Sequence, residues 1–222
     1  MDYNWDFASV FVYWNVLAMG LWATFKLFII CSTLGLGGGL FMGMLRYSKT
    51  RWISYPAMLY VEIFRNTPVL VQIIWFFFAL PVVTGIEVSP MMAAVLGITL
   101  NTIAFSAEVF RGGIQSIERE QWGAGKAIGM SYAQSMRRVI LPQALKRMLP
   151  PLTSRGIEVF KMSTLASVVA YPETLQQAKL IASYEYNPIE AYTVVALMFF
   201  IVLLPLVQLT YMLERRFGKS DA

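Results

Sequence analysis

Histidine is absent from all 222 residues, cysteine occurs once, at Cys31, and charged side chains make up only 14% of the chain. Without histidine there is no His-dependent acid/base catalysis, no His-ligated metal and no Ser/His/Asp triad, and one thiol cannot close an intrachain disulfide. An average soluble domain carries about a quarter charged residues. The low charge, with 57% hydrophobic residues and a mean hydropathy of +0.57, therefore speaks against a water-soluble globule. What the chain has instead is long apolar runs, and at roughly 20 residues per crossing it could hold about five membrane spans joined by short connections. Bond-making chemistry by this chain alone is not expected. No catalytic residue and no metal ligand set is assigned.

The runs divide one membrane domain, residues 1–222, into spans at about 20–45, 67–83, 91–110, 152–171 and 191–213. The first is interrupted only by Lys26, which can snorkel from near one end, and its glycine run Gly35, Gly37, Gly38, Gly39 suits close helix contact. The second run, from Trp52 to Val83, would overshoot a hydrocarbon core of about 30 Å as one helix. Its break is expected at Phe64-Arg65-Asn66-Thr67-Pro68, because proline lacks a backbone donor and pushes the preceding residue out of helical geometry. A short helix over 52–64 then precedes span two, and Glu62 and Arg65, three apart, are placed to pair across the bend.

Lysine and arginine set the direction. Residues 46–51 carry three, residues 111–150 seven and the tail after 213 three, whereas the opposite side carries only Lys179 among several acids. By the positive-inside rule the amino terminus is outside and the carboxyl terminus inside. The first ten residues are acidic and do not read as a cleavable signal. The net charge of +5 is an orientation signal, and no platform for nucleic acid is visible.

Residues 111–150 form the one substantial piece outside the spans, too small to bury an enzyme core. Ile117, Trp122, Ala124, Ala127 and Ile128 can cluster on one helix, Gly129 can terminate it, and Ser131 can cap a second helix over about 132–140 that Pro142 ends. The result is an elbow that could dock into a groove on a partner. A basic loop held at lipid headgroups is the plainer reading.

The spacing Gly129, Val139, Leu141, Pro142, with Ala124 five residues before the glycine, resembles the loop of permease subunits in ATP-binding-cassette importers. The segments Ala107–Ile117, Phe64–Gln72 and Lys161–Leu165 resemble the polar amino-acid branch of that family, and within it the chain looks most like permeases of glutamate/aspartate importers. The resemblance implies an all-α polytopic fold of the five-span type I kind. It also implies a multi-pass protein of a bacterial cytoplasmic membrane, with a coupling loop built on Glu120, Gly123, Ala124, Gly129, Val139, Leu141 and Pro142. The implied partners are two ATPase subunits that bind ATP and Mg, a second and different permease subunit, and a periplasmic amino-acid-binding protein. This chain itself would bind no cofactor: Gly123-Ala124-Gly125-Lys126 lacks the phosphate cradle of a P-loop. The family's loop reads Gly-Gln-x-Glu-Ala where this chain has Glu120-Gln121-Trp122-Gly123-Ala124, so glycine and glutamate are exchanged. Glu120, one turn earlier, is the acid available to take the missing place. Met162 stands where relatives commonly carry a polar residue.

Polar groups within spans are candidates for a substrate path, since they are costly in lipid. Glu158 and Lys161, three apart, either pair with each other or leave Lys161, with Ser163 and Thr164, facing a passage for a carboxylated substrate. Asn66 and Thr67 belong either to such a path or to the bend. Glu108 and Arg111 are expected to anchor the start of the inner loop, and Tyr184, Tyr186, Asn187 and Pro188 form either a receptor contact or a plain turn. Two other classes remain: a self-contained secondary transporter or channel, which would need internal repeats and paired broken helices, and a membrane anchor that recruits a cytoplasmic enzyme.

Overall fold

In a computed structural model, which describes residues 4–48 and 50–217, the long apolar runs become helices packed around one long glycine seam. Asp2, Lys49 and Lys219 of the charge count lie outside the described residues. A short helix α1 (Phe7–Val12) leads into α2 (Trp14–Tyr47), which begins six residues before the expected span and packs along α6 (Pro90–Gln115). Four-residue spacing puts Gly35, Gly39 and Gly43 on one stripe of α2. A Cβ there would lie 2.4 Å from Thr102, 2.4 Å from Ser106 and 3.0 Å from the Ala107 carbonyl, so only glycine lets the two backbones come this close. Of the glycine run expected to pack, Gly37 faces open space.

Helix α3 (Arg51–Asn66) ends at Thr67, which is extended, and the chain turns by 101° into α4 (Val69–Ile74). The bend falls where Pro68 requires it. Helix α4 continues through a π-helical stretch, Trp75–Ala79, into α5 (Leu80–Thr84). A second π stretch, Met136–Ile140, precedes α9 (Leu141–Met162). Each π stretch ends one residue before a Leu-Pro pair, Leu80-Pro81 and Leu141-Pro142, where the wider turn relieves the ring's clash with the carbonyl four residues back. The chain therefore stays helical across Pro142, where the sequence predicts a stop, and α9 also runs on through Pro150 and Pro151.

Among the described residues three helices are long and apolar enough to cross a membrane, α2, α6 and α11 (Pro188–Phe217), or four if the bent pair forms one span. The expected span at 152–171 is not among them, because Arg155, Glu158 and Lys161 interrupt it. Its second half is not α-helical either: Ser163–Val169 forms a 3₁₀ segment closed by Ala170 at φ +56°.

The segment expected as an outer loop contains α10 (Thr174–Glu185), which packs against α2 and α11. Its cap, Glu173, is fully buried, and its carboxylate oxygens accept the backbone N–H groups of Leu175 (2.8 Å) and Gln176 (2.7 Å). Burial pushes this carboxyl up to about 7 from an ordinary 4.5, against the opposing pull of those two N–H groups and of Lys179. The folded chain thus holds the proton more tightly than the unfolded one. The contribution of Glu173 is complete below pH 4.5 and is lost as pH rises through about 7. The whole shift corresponds to on the order of 3 kcal/mol. We expect the hydrogen-exchange protection of the first turn of α10, compared with Glu173→Gln at each pH, to decline between about pH 5 and 8. A difference that stays constant over that range would refute the assignment.

Candidate functional site

The bend leaves carbonyls at the end of α3 without intrahelical partners, a costly state wherever water does not reach. Side chains satisfy them. The Phe64 carbonyl accepts from Asn101 Nδ2 (2.6 Å) and Gln72 Nε2 (3.1 Å), and the same Gln72 amide reaches the Thr67 carbonyl (3.0 Å) and hydroxyl (2.6 Å). Thr67 Oγ1 donates to the Ile63 carbonyl, and Asn66 Nδ2 donates to the Glu62 carbonyl and carboxylate. Asn66 and Thr67 are exposed, yet both carry the bend's hydrogen bonds.

From Asn101 the polar chain runs on into α9. Asn101 Oδ1 accepts from Arg155 Nη2 (2.6 Å), and Arg155 Nη1 donates to Glu158 Oε2 (2.7 Å). The guanidinium lies 4.4 Å over the Phe105 ring. Arg155 is only 5% exposed, so this charge is held almost wholly inside the protein. The pairing of Glu158 with Lys161 is thereby corrected. Both Arg155 and Lys161 stand three residues from Glu158, and the side of the helix that is buried selects Arg155. Lys161 is exposed and has no partner among the described residues. A cavity of about 380 Å³ beside the network is lined by Phe105, Ser154, Arg155, Glu158 and Glu214.

Of the two hydroxyls grouped with Lys161, Ser163 does not face a passage and Thr164 is half-buried with its hydroxyl tied to the backbone. Ser163 is fully buried and donates to the Phe160 carbonyl (2.6 Å), while Thr164 donates to the Lys161 carbonyl (2.8 Å). The sequence assigns no role to Arg155 or Asn101, and Gln72 enters it only as the end of the Phe64–Gln72 segment. The signal for Asn101 was a lone amide in the middle of an otherwise apolar span.

Nearer the end of α6 that leads into the elbow, Glu108 joins three helices. It pairs with Arg46 of α2 (2.5 Å), Arg111 of α6 (2.8 Å) and Arg65 of α3 (3.8 Å), and Arg46 also reaches Glu62 (3.7 Å). Glu62 and Arg65 are thus committed to different partners and not to each other. Arg111 further donates to Gln115 (2.5 Å). The cluster ties the lower part of the bent pair to the two seam helices.

Beyond Gln115 the chain forms the elbow: α7 (Arg119–Ala127), Gly129 at φ +77°, and α8 (Tyr132–Ser135), opened by a capping box between Ser131 and Gln134. Its inner side packs Ile117, Ile140, Ala144 and Met148, with Trp122, Met136 and Val139 against them, and Trp122 stacks on Tyr132 at 5.4 Å. Gly125 faces inward, where a Cβ would lie 2.6 Å from Ser135 Oγ. Ala124, Ala127 and Ile128 do not join the cluster. They are exposed, as are Glu120, Pro142 and Gly123, and a Cβ at Gly123 would meet nothing. The elbow therefore presents Gly123, Ala124 and Ala127 outward, with Ile128 exposed beside them, while Ile117, Trp122, Met136 and Val139 hold it to α6 and α9.

Comparison with known proteins places this architecture. Residues 35–219 match the family model described as the binding-protein-dependent transport system inner membrane component. The chain is 39% identical over 164 residues to a probable amino-acid ABC transporter permease protein, YckA, of Bacillus subtilis, covering 74% of this chain and 72% of that one. It is 37% identical to the glutamine transport system permease protein GlnP of Escherichia coli, covering 86% and 90% respectively. A crystal structure of an amino acid ABC transporter with histidines superposes with a TM-score of 0.91 at 33% identity, over 96% of this chain and all of that one. An inward-facing structure of the MetNI methionine ABC transporter shares the fold at a TM-score of 0.72 and 19% identity. The chain belongs to the family of binding-protein-dependent transport system inner membrane components, as a permease subunit of the amino-acid ABC kind.

Proposed function

We propose that this chain is a translocation subunit of an ATP-driven importer of polar amino acids, with glutamate and aspartate as its substrates. The observation that carries this reading is Lys161, an exposed cation in the expected fourth span with no partner among the described residues, one turn from half-exposed Glu158. A charge in that position needs water or a polar substrate beside it. The reading places it on the passage, where it would meet a substrate carboxylate. Asn66 and Thr67 border the same passage while serving the bend, and Thr164 lends it at most a backbone-tied hydroxyl.

In this reading the chain crosses the membrane five times, with the helix from 152 to 169 shielded from lipid by a second, different permease subunit. The amino terminus is outside and the carboxyl terminus inside, following the lysine and arginine distribution. Two ATPase subunits bind ATP and Mg and each receives one elbow through the exposed Glu120, Gly123, Ala124, Gly129 and Pro142, with half-buried Leu141 beside them, while Val139 packs on the inner side and supports that surface. A binding protein delivers the amino acid to the outer face, where Tyr184 and Tyr186 are 80% and 87% exposed. Closure of the ATPases would draw the elbows together and change which side the passage faces, driven by differential binding of ATP and loaded receptor to the two states.

The test is purification of the complex under mild detergent and its reconstitution with the companions that accompany it. We expect a stoichiometric ATPase and a second permease, with labelled glutamate uptake that excess aspartate inhibits and that falls at least tenfold in Lys161→Met. Uptake of glutamine with no competition by glutamate would overturn the acidic substrate class. Absence of any ATPase would overturn the importer.

A further inference from the structure

At the inner ends of the helices a cavity of about 920 Å³ opens between α2, α3 and α6, and no step of transport uses it. Its polar wall is Arg46, Arg51, Arg111 and Gln115, and its apolar wall includes Trp52 and Tyr55. The charges around it do not balance: four arginines, 46, 51, 65 and 111, face two carboxylates, Glu62 and Glu108. Arg51 is exposed and has no partner among the described residues. A second cavity, of about 790 Å³, shares Arg46 and Gln115 with the first and adds Lys126 of the elbow with Trp122 and Tyr132. The geometry points to a binding site for the headgroup of an anionic phospholipid.

The occupant follows from the two walls. Guanidinium groups recognise phosphate oxygens through paired donors, which accounts for the cationic side. A soluble anion would leave the apolar side in water, whereas a phospholipid covers it with glycerol and the upper acyl chains. Trp52, 91% exposed, and Tyr55, 64% exposed, are the residue types that sit at headgroup level. The exposed apolar side chains Leu40, Phe41 and Met44 continue along α2 in the direction the tails would take. Surplus cations at an inner helix boundary attract anionic lipid over zwitterionic lipid. A lipid seated here would contact α2, α3 and α6, and through the second cavity its headgroup would reach Lys126 of the elbow.

The test uses the intact complex. After delipidation in detergent, native mass spectrometry with added phosphatidylglycerol or phosphatidylcholine is expected to show selective retention of phosphatidylglycerol, weakened about fivefold by Arg51→Gln, the loss of one cation near the surface. Arg51 makes no internal pair, so the variant keeps the fold. As an independent reading, brominated phosphatidylglycerol is expected to quench tryptophan fluorescence more than brominated phosphatidylcholine, with the excess lost in Trp52→Phe. Three results would overturn the site: equal retention of the two lipids, displacement of phosphatidylglycerol by excess inorganic phosphate alone, or a photocrosslink from position 52 to a protein subunit in place of lipid.

Discussion

Arg155→Ala is expected to cost on the order of 3 to 5 kcal/mol, because it breaks a buried, hydrogen-bonded charge pair. The substitution strips Asn101 Oδ1 of its donor, leaves Glu158 without its cation and removes the guanidinium from over Phe105. The damage does not stop there. The Asn101 amide is one of two groups that satisfy the Phe64 carbonyl at the end of α3, so an amide freed to rotate also loosens the bend. For a chain of this size a loss of that order lowers the thermal midpoint by roughly 10 °C and reduces the yield of folded complex. Arg155→Lys tests what matters about the group. Lysine keeps the charge but lacks the planar fork that reaches Asn101 and Glu158 together. We expect it to recover less than half of the lost midpoint. An alanine variant that melts with the natural chain would show that the network does not hold α6 to α9.

Such a network marks the limit of what the sequence discloses. The bend was legible because Pro68 acts on its own backbone whatever surrounds it, and Gly129 and Ser131 were legible because a left-handed residue and a cap are local requirements. Pairing partners were not local. Glu158 has cations on both sides at equal spacing, Glu62 has Arg65 within reach, and the choice in each case depends on which face of the helix turns inward and what the next helix brings. Arg46 lies far along the chain from Glu108, and only the glycine seam of α2 and α6 sets them 2.5 Å apart. The seam itself reads clearly at four-residue spacing, but the dense run Gly37, Gly38, Gly39 drew attention from Gly43. Pro142 misled for a related reason. A proline breaks a regular helix, but a π stretch before it, or a place in the first turn, removes the conflict, and neither is visible from the residue alone.

The outward surface of α7 carries the second large effect. Ala124 lies on the exposed side of a helix whose other side is fixed by Trp122 on Tyr132 and by Gly125 against Ser135. Its neighbours outward are Gly123 and Ala127, and such small side chains allow another protein's backbone or side chains to come close. A long charged side chain at this position keeps every contact inside the elbow but props the partner away and buries a charge at the interface. Ala124→Arg is therefore expected to lower binding-protein-stimulated ATP turnover at least tenfold, with membrane insertion and the thermal midpoint of the chain unchanged. The opposite pattern is expected from Gly125→Val, whose added atoms collide with Ser135 and dismantle the elbow from within, so that stability falls along with coupling. The comparison separates a lost contact from a lost fold. Gly123 has open space where a side chain would stand, so an acid at this position is not excluded by crowding, and Glu120 is exposed on the same short helix. Unchanged stimulation in Ala124→Arg would move the ATPase contact away from α7, to the other exposed positions of the elbow around Pro142.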